Sequence, residues 1–262
     1  MENIMLSKPH KVLRVLKETK AEYTFRVACD AETKHGQFFM LSIPKVGEAP
    51  ISVSGRGEGY VEFTIRKVGR LTEGMFGLAP GDYLFMRGPY GNSFPVEQFE
   101  GKDLLVICGG TGMAPVRTTL NYFYDNPEKC KSVNLIAGFK DIDAVLFTDE
   151  LEKFGKKFNT IYCLDNMEAP GFRKGFVTNY IKEMPIKDFE DYNIVIVGPP
   201  AMMHFSAQEC LKNGAAEEKI WVSFERKMSC AVGKCGHCKI NETYVCLEGP
   251  VFNYTVAKDL LD

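Results

Sequence analysis

No run of apolar residues in this 262-residue chain approaches the roughly 20 that a bilayer-spanning helix requires. No excess of charge of one sign is present either: 32 lysines and arginines face 34 aspartates and glutamates, a formal net charge of −2. Such a balance produces no strong field toward nucleic acid or an anionic membrane surface, so neither is expected as a partner. Residues 1–12 hold no apolar core and no small-residue cleavage site, so no signal peptide is expected and the default is a soluble cytoplasmic protein. Internal repeats and low-complexity segments are also lacking. What remains is ordinary globular composition, 45% apolar and 25% charged. The length suits two domains, or two and a small appended module, with a core that needs no disulfide help.

Cysteine is what the chain has in excess. There are nine, an odd number, unevenly placed. Cys29, Cys108, Cys130, Cys163 and Cys210 are solitary and read as small buried hydrophobes in a reducing compartment. The other four fall close together near the end. A secreted disulfide framework would be shorter, with cysteines throughout, so one tight group points to metal.

The first hundred or so residues read as β structure. Segments 11–18, 23–28, 37–43, 60–67 and 83–87 are rich in Val, Phe, Tyr, Thr and Ile, punctuated by Gly, Pro and Glu. That spacing suggests a small barrel or sandwich. The style changes near Glu100. Segment 104–108 is continuously apolar, as a strand buried on both faces would be. Further apolar runs at 133–138, 160–164 and 193–197 alternate with helix-like stretches at 114–124, 147–154, 177–182 and 201–211, and 220–224 reads as a last strand. Alternation of this kind predicts a parallel sheet with crossover helices. The expected fold is thus a β-barrel domain (1–99), an α/β parallel-sheet nucleotide-binding domain (100–223) and a small C-terminal cysteine module (224–262).

Cys230, Cys235, Cys238 and Cys246 form the pattern C-x4-C-x2-C-x7-C. Plant-type 2Fe–2S proteins use a C-x4-C-x2-C loop followed by a later fourth cysteine. Each iron needs two thiolates, and a compact loop has to aim three sulfurs at one small cluster. Gly233 and Gly236 let such a loop bend and turn backbone N–H groups toward the sulfurs. Structural zinc is the main alternative, although its four-cysteine sites usually bring two C-x2-4-C pairs from separate turns; a redox-sensing thiol set is a third. His237, inside the loop, is expected to be exposed and not a ligand.

Two further turns suit a nucleotide. After the 104–108 run come Gly109, Gly110, Thr111, Gly112, Met113, Ala114 and Pro115, a strand, a glycine turn and a helix start. Such a turn lets a flat ring or diphosphate approach the backbone at a helix N-terminus, and Pro115 fits a first helical turn. After 193–197 come Gly198, Pro199, Pro200, Ala201 and Met202. Two such turns at the carboxyl ends of parallel strands fit a dinucleotide crevice. The fingerprint is not G-x-G-x-x-G, and a ligand-free tight turn is the alternative for either segment alone. Lys140 and Asp141 pull in opposite directions on the choice between a free ribose hydroxyl and a phosphate.

A cluster that carries one electron cannot accept a hydride, so a flavin is expected to mediate. Three segments of the first domain are candidates, each by itself more often a turn serine or a surface arginine: Pro50-Ile51-Ser52; Ile65 and Arg66 with Leu71 and Thr72; and Gly88-Pro89-Tyr90-Gly91. Taken in order with the two glycine turns, they make the chain resemble the ferredoxin–NADP reductase superfamily over essentially its whole length. The resemblance implies that Pro50, Ile51 and Ser52 lie along the flavin ring and that Ile65, Arg66, Leu71 and Thr72 surround the FAD diphosphate. It further implies that Gly110, Thr111, Gly112, Pro115, Gly198, Pro199 and Met202 bind NADH, with no side chain acting as a catalytic acid, base or nucleophile. The Glu225–Cys230 lead and the Gly249-Pro250-Val251-Phe252 follow-on are similar to the branch with a C-terminal 2Fe–2S cluster. That branch comprises dihydroorotate dehydrogenase electron-transfer subunits, hydrogenase gamma subunits and anaerobic sulfite reductase B subunits.

Within the branch the nearest resemblance is to the sulfite reductase B group, carried by segments 46–54, 232–238 and 249–257. It implies a diaphorase subunit that passes electrons from NADH through FAD and the cluster to iron–sulfur and sirohaem subunits, where sulfite becomes sulfide. The dihydroorotate group carries arginine before Pro-Ile-Ser. Ala49 stands there in this chain, which argues against the pyrimidine role and removes one cationic contact to the diphosphate. The alternatives are the same module serving a hydrogenase and, in a different class, a zinc-stapled nucleotide-binding regulator.

Overall fold

A computed structural model describes residues 4–260. Two compact units divide the chain: the described residues through Ser93 together with Glu225–Pro250, and Phe94–Phe224 together with the residues from Val251 onward.

The first unit is built on a closed antiparallel barrel. Its strands are β1 (Lys8–Lys17), β2 (Glu22–Ala28), β3 (Phe38–Ile43), β4 (Gly47–Gly57), β5 (Tyr60–Arg66) and β6 (Tyr83–Tyr90), in the order β1-β2-β5-β4-β3-β6. Period-two alternation makes the core: Phe25 and Val27, Phe39 and Leu41, Val61, Phe63 and Ile65, and Leu84 and Met86 all point inward and are buried. Phe39 and Phe63 meet edge to face at 5.6 Å. Each such side chain contributes roughly 1.5–3 kcal/mol by leaving water. The short helix α1 (Arg70–Met75) follows β5 and adds the buried Met75 to the same core.

β4 was not legible as a full strand. Its glycines and Pro50 read as punctuation, yet all eleven residues are extended. Pro50 is tolerated because it pairs only with Met40 on β3, whereas pairing to β5 begins at Val53.

The second unit carries α2 (Val96–Phe99), β7 (Asp103–Gly109), α3 (Met113–Asp125), β8 (Ser132–Phe139), α4 (Thr148–Gly155), β9 (Asn159–Leu164), β10 (Arg173–Lys174), β11 (Tyr192–Val197), α5 (Pro200–Lys212) and β12 (Ile220–Ser223). Val106 on β7 is paired with Leu135 on β8 and Val195 on β11, and the whole of β7 is buried. That is why its sequence is apolar without alternation. One helix-like stretch differs from expectation: residues 177–182 lie in a 3-10 segment, Val177–Glu183. β-branched Val177 and Thr178, with Pro185 close behind, leave too little chain to nucleate an α-helix.

The tail, expected as one module, is shared between the units. β13 (Lys239–Ile240), β14 (Thr243–Tyr244) and α6 (Val245–Glu248) belong to the first; β15 (Val251–Asn253) and α7 (Tyr254–Ala257) belong to the second. β15 pairs antiparallel with β12 and completes a sheet of order β10-β9-β8-β7-β11-β12-β15. The open edge of β12 supplies backbone partners that a short cysteine loop cannot provide for itself. Among the described residues no helix is long and apolar enough to cross a membrane.

A buried imidazole makes the first unit sensitive to acid. Arg56 donates through Nη2 to His35 Nε2 at 2.7 Å and through Nη1 to the Thr33 carbonyl. Because arginine only donates, Nε2 accepts and the ring is neutral. Burial, and then Arg56, push the His35 pKa down to about 3. The unfolded chain, with a histidine pKa of about 6.5, takes up this proton first as pH falls. Stability is therefore full above about pH 6.5 and declines by roughly 1.4 kcal/mol per unit toward pH 3. Urea midpoints measured between pH 7 and 4.5 will fall less steeply for His35→Gln than for the parent chain; parallel slopes would refute the assignment.

Candidate functional site: cysteine loop, strand face and nucleotide turns

The four clustered cysteines lie in the first unit and meet in two pairs. The Cys235 amide donates to the Cys230 sulfur, and the Cys246 amide to the Cys238 sulfur. Backbone N–H groups converge on the sulfurs. Val232, Lys234 and Cys235 donate to Cys230 Sγ at 3.4, 3.3 and 3.4 Å. Gly233 donates to Cys246 Sγ at 3.3 Å and Cys246 to Cys238 Sγ at 3.4 Å. Gly233 reaches this position with a φ of +69°, where a Cβ would also strike the Leu247 side chain. The amide of His237, ahead of that of Cys230, holds the exposed Cys235 thiol down at about 7. At Cys230 burial works upward, but three amides outweigh it and the thiol lies below its ordinary value. Burial pushes Cys246 up to about 12 against the Gly233 amide.

Among the described residues no three His, Cys, Asp or Glu side chains converge on one ion position. This pairwise arrangement suits two irons with two thiolates each better than a single tetrahedral zinc. The donor chemistry therefore fits a 2Fe–2S cluster. His237 is exposed. Burial raises all five solitary thiols, with Cys130 at about 11 and Cys163 and Cys210 at about 12. They are inert packing groups.

Across β4 and β5 lies the second element. Alternation brings Pro50, Ser52 and Ser54 to one face of β4 and Thr64 and Arg66 to one face of β5, tied by a 2.9 Å bond from Thr64 Oγ1 to Ser54 Oγ. Ile51 and Ile65 point instead to the core. Arg66 is half exposed, and its Nε donates at 2.6 Å to Glu22, whose side chain is 3% exposed. Glu22 is itself fixed by Thr19 Oγ1, so the guanidinium is aimed by a buried carboxylate. Leu71 is half-buried. Thr72 turns inward: its Oγ1 accepts from the Val68 and Gly69 amides at 2.9 and 3.1 Å and donates to the Gly69 carbonyl. That hydroxyl is committed to shaping the turn, which leaves the backbone at the start of α1 to meet a diphosphate. The face fits FAD through Ser52, Arg66 and the backbone at the start of α1.

In the second unit the sheet order reverses between β7 and β11, the topological switch point at which open parallel sheets bind ligands. Both glycine turns leave the sheet there and touch. A Cβ added at Gly112 would lie 2.3 Å from the Val197 carbonyl oxygen and 2.9 Å from Gly198 Cα. A Cβ at Gly198 would meet the Met202 side chain at 2.6 Å. Gly110 and Thr111 are half-exposed on the rim, Pro199 is exposed, Met202 is half-buried, and Pro115 is buried in the first turn of α3. Beyond β8 and β9, Asp165 donates its amide to the Phe139 carbonyl at 3.0 Å. Its carboxyl is raised by burial and by Asp141, against Lys140.

Sequence reasoning assigned no role to two residues of the first unit, Arg87 and Glu48. Arg87 and Glu48 form a bidentate pair at 2.8 and 2.6 Å, and Arg87 also donates to Tyr90 Oη and to the Ser229 and Cys230 carbonyls of the cysteine loop. The Arg-Gly-Pro-Tyr-Gly string was the available signal, but only its turn was recognised.

Comparison with known proteins agrees with this arrangement. Residues 106–208 match the family model of the oxidoreductase NAD-binding domain. Residues 225–256 match that of the iron–sulfur cluster binding domain of dihydroorotate dehydrogenase B. Sulfhydrogenase 1 subunit gamma of Pyrococcus furiosus is 38% identical over 264 residues, covering 93% of this chain and 89% of the relative. The probable electron transfer subunit of dihydroorotate dehydrogenase B (NAD(+)) of Methanocaldococcus jannaschii is 32% identical over 245 residues, 92% of this chain and 88% of the relative. A solved NADH-dependent reduced ferredoxin–NADP oxidoreductase superposes with a TM-score of 0.80 at 22% identity, covering 95% of this chain and 89% of that one.

A barrel, a parallel-sheet nucleotide domain and an iron–sulfur loop define an NAD-dependent oxidoreductase subunit that transfers electrons, and NADH, FAD and a 2Fe–2S cluster are the cofactors of this class. The chain belongs to the ferredoxin–NADP reductase superfamily, in the branch with a C-terminal iron–sulfur binding domain of the dihydroorotate dehydrogenase B type. The expected narrowing to sulfite reductase B subunits finds no support in these relatives, which carry the hydrogenase and dihydroorotate names.

Proposed function

We infer that this chain is the NADH-linked electron-entry subunit of a hydrogenase-type complex, joined to a partner subunit that holds further redox centres. The observation that carries this reading is the 38% identity to a sulfhydrogenase gamma subunit across nearly the full length of both chains. Ala49, in place of the arginine of the dihydroorotate group, favours it over the pyrimidine role. Cys230 with Cys235 and Cys238 with Cys246 are the two ligand pairs of the cluster. Ser52 orients the flavin ring, Arg66 receives the diphosphate in the direction Glu22 sets, and the backbone around Leu71 and Thr72 completes that site. Gly110, Thr111 and Gly112 with Gly198, Pro199 and Met202 form the nicotinamide-nucleotide crevice. Asp141 and Asp165 oppose a ribose phosphate and favour NADH over NADPH.

When bound, FAD would supply the conversion between the electron pair of a hydride and the single electrons that a 2Fe–2S cluster carries. The chain itself positions, orients and tunes. The near-neutral net charge and the absence of a membrane-spanning helix among the described residues are consistent with a cytoplasmic complex.

Sulfite reduction is the second reading, supported by the three segments of the sequence resemblance. Anaerobic capture of the tagged chain from its native cells, followed by assays on the isolated complex, separates the two. The expected result is hydrogen-dependent reduction of NAD(+). A complex that instead consumes sulfite with NADH and shows no hydrogen turnover would replace the hydrogenase reading with the sulfite one.

A further inference from the structure

Arg87 is the most completely bonded buried charge near the cysteine loop. Its side chain is only 4% exposed. Nε and Nη2 donate to Glu48 at 2.8 and 2.6 Å, Nη2 also to the Ser229 carbonyl at 2.7 Å, and Nη1 to the Cys230 carbonyl at 2.9 Å and to Tyr90 Oη at 3.2 Å. All five guanidinium N–H groups thus have an acceptor. An ion pair with Glu48 would by itself use only two of them. Two more leave the strand pair for a segment more than a hundred and forty residues away in sequence.

We propose that Arg87 is a positioning residue for the iron–sulfur loop, fixing the direction in which Cys230 presents its sulfur. The proposal rests on the reading that Cys230 is a cluster ligand. The two carbonyls it holds belong to the peptide planes on either side of Cys230 Cα. Each peptide unit is planar, so holding both planes sets φ and ψ of Cys230 and with them the Cα–Cβ bond. The next residue shows the consequence. Ala231 is buried at a φ of 63°, a region that residues with a Cβ seldom enter. From that bend the chain returns its amides at Val232, Lys234 and Cys235 to Cys230 Sγ. The barrel strand therefore does for the first cysteine what the loop, with its short and mostly polar sequence, cannot do alone.

Lysine keeps the charge at this position but offers its donors from one atom, without the planar fork that reaches two carbonyls and a carboxylate together. Arg87→Lys and Glu48→Gln are to be compared in the full-length chain. Amide hydrogen exchange at Val232, Lys234 and Cys235, measured on protein stripped of iron under anaerobic conditions, reads the pinning with no cluster present. The rate of cluster loss to a chelator reads it in the loaded protein.

The expected result is an increase of at least about tenfold in both rates for Arg87→Lys and less than about twofold for Glu48→Gln, which keeps both carbonyl contacts. Parent-like rates in a folded Arg87→Lys protein, or equal effects of the two variants, would show that Arg87 serves only the strand pair and would overturn the proposal. If Arg87→Lys does not fold, Ala231→Val and Ala231→Gly decide. A pinned Cys230 forces φ above zero at 231, so valine accelerates cluster loss at least about tenfold and glycine does not; a loop that accepts both equally is not pinned. A parent chain that takes up no iron on reconstitution would remove the cluster reading, while the exchange measurement would still test the pinning.

Discussion

Replacing Cys238 by serine will leave a protein that oxidises NADH but no longer passes electrons to its partner. Cys238 is 1% exposed, and its Sγ accepts the Cys246 amide at 3.4 Å. A serine oxygen is harder and shorter-bonded, and it cannot serve as the second thiolate of an iron that has Cys246 as its other ligand. Iron should fall from about two per chain to near zero. Transfer to the partner subunit should fall at least about a thousandfold, because without the cluster nothing relays electrons from the flavin onward. Reduction of a two-electron dye by NADH should stay within about threefold of the parent, since the strand face and nucleotide turns share no residue with the loop. His237→Ala is the internal comparison. His237 is exposed inside the same loop, and the variant should hold its iron. Full iron in Cys238→Ser, or loss of iron in His237→Ala, would reassign the ligands.

Gly112→Ala will damage NADH use more than any other single methyl addition in the second unit. The new Cβ would stand 2.3 Å from the Val197 carbonyl oxygen and 2.7 Å from its carbon. Both are backbone atoms at the end of a fully buried strand, so neither can rotate away as a side chain would. Relief requires the two turns to part, which costs about 1–3 kcal/mol of stability as overpacking and widens the crevice that must grip the dinucleotide. A fall in kcat/KM for NADH of at least about a hundredfold is expected, with most of it in KM. Gly110→Ala is the contrast. Nothing lies within 4 Å of its Cβ position, and its only penalty is a φ of +54°. It should lower kcat/KM less than about tenfold. Parent-like NADH kinetics in Gly112→Ala would mean that the turns do not have to touch for binding.

What was legible in the sequence was local. The cysteine spacing, the glycine turn after an apolar strand and the change from period-two segments to alternating strands and helices are properties of neighbouring residues. Backbone geometry converts such patterns directly into loops, strands and helix starts. The fold class and the four clustered cysteines could therefore be read before any coordinates. So could the two glycine turns, although their contact through Gly112 and Gly198 could not.

Tertiary structure decided which groups those local elements meet. Thr72 was expected to offer its backbone at the diphosphate; that its hydroxyl shapes the turn, accepting from the Val68 and Gly69 amides, was not legible. Arg66 was legible, but the buried Glu22 that aims it lies forty-four positions earlier and becomes its neighbour only through the β2–β5 register. The tail was read as one module; its last strand instead completes the distant edge of β12. Arg87 is the clearest case. Its side chain looks like an ordinary strand arginine in sequence, and only closure of the barrel brings it to carbonyls 142 and 143 residues away. Spacing along the chain can specify which atoms bind a cluster. Which way they point depends on non-local pairing, because the peptide planes beside Cys230 are held by a strand that no neighbouring residue encodes.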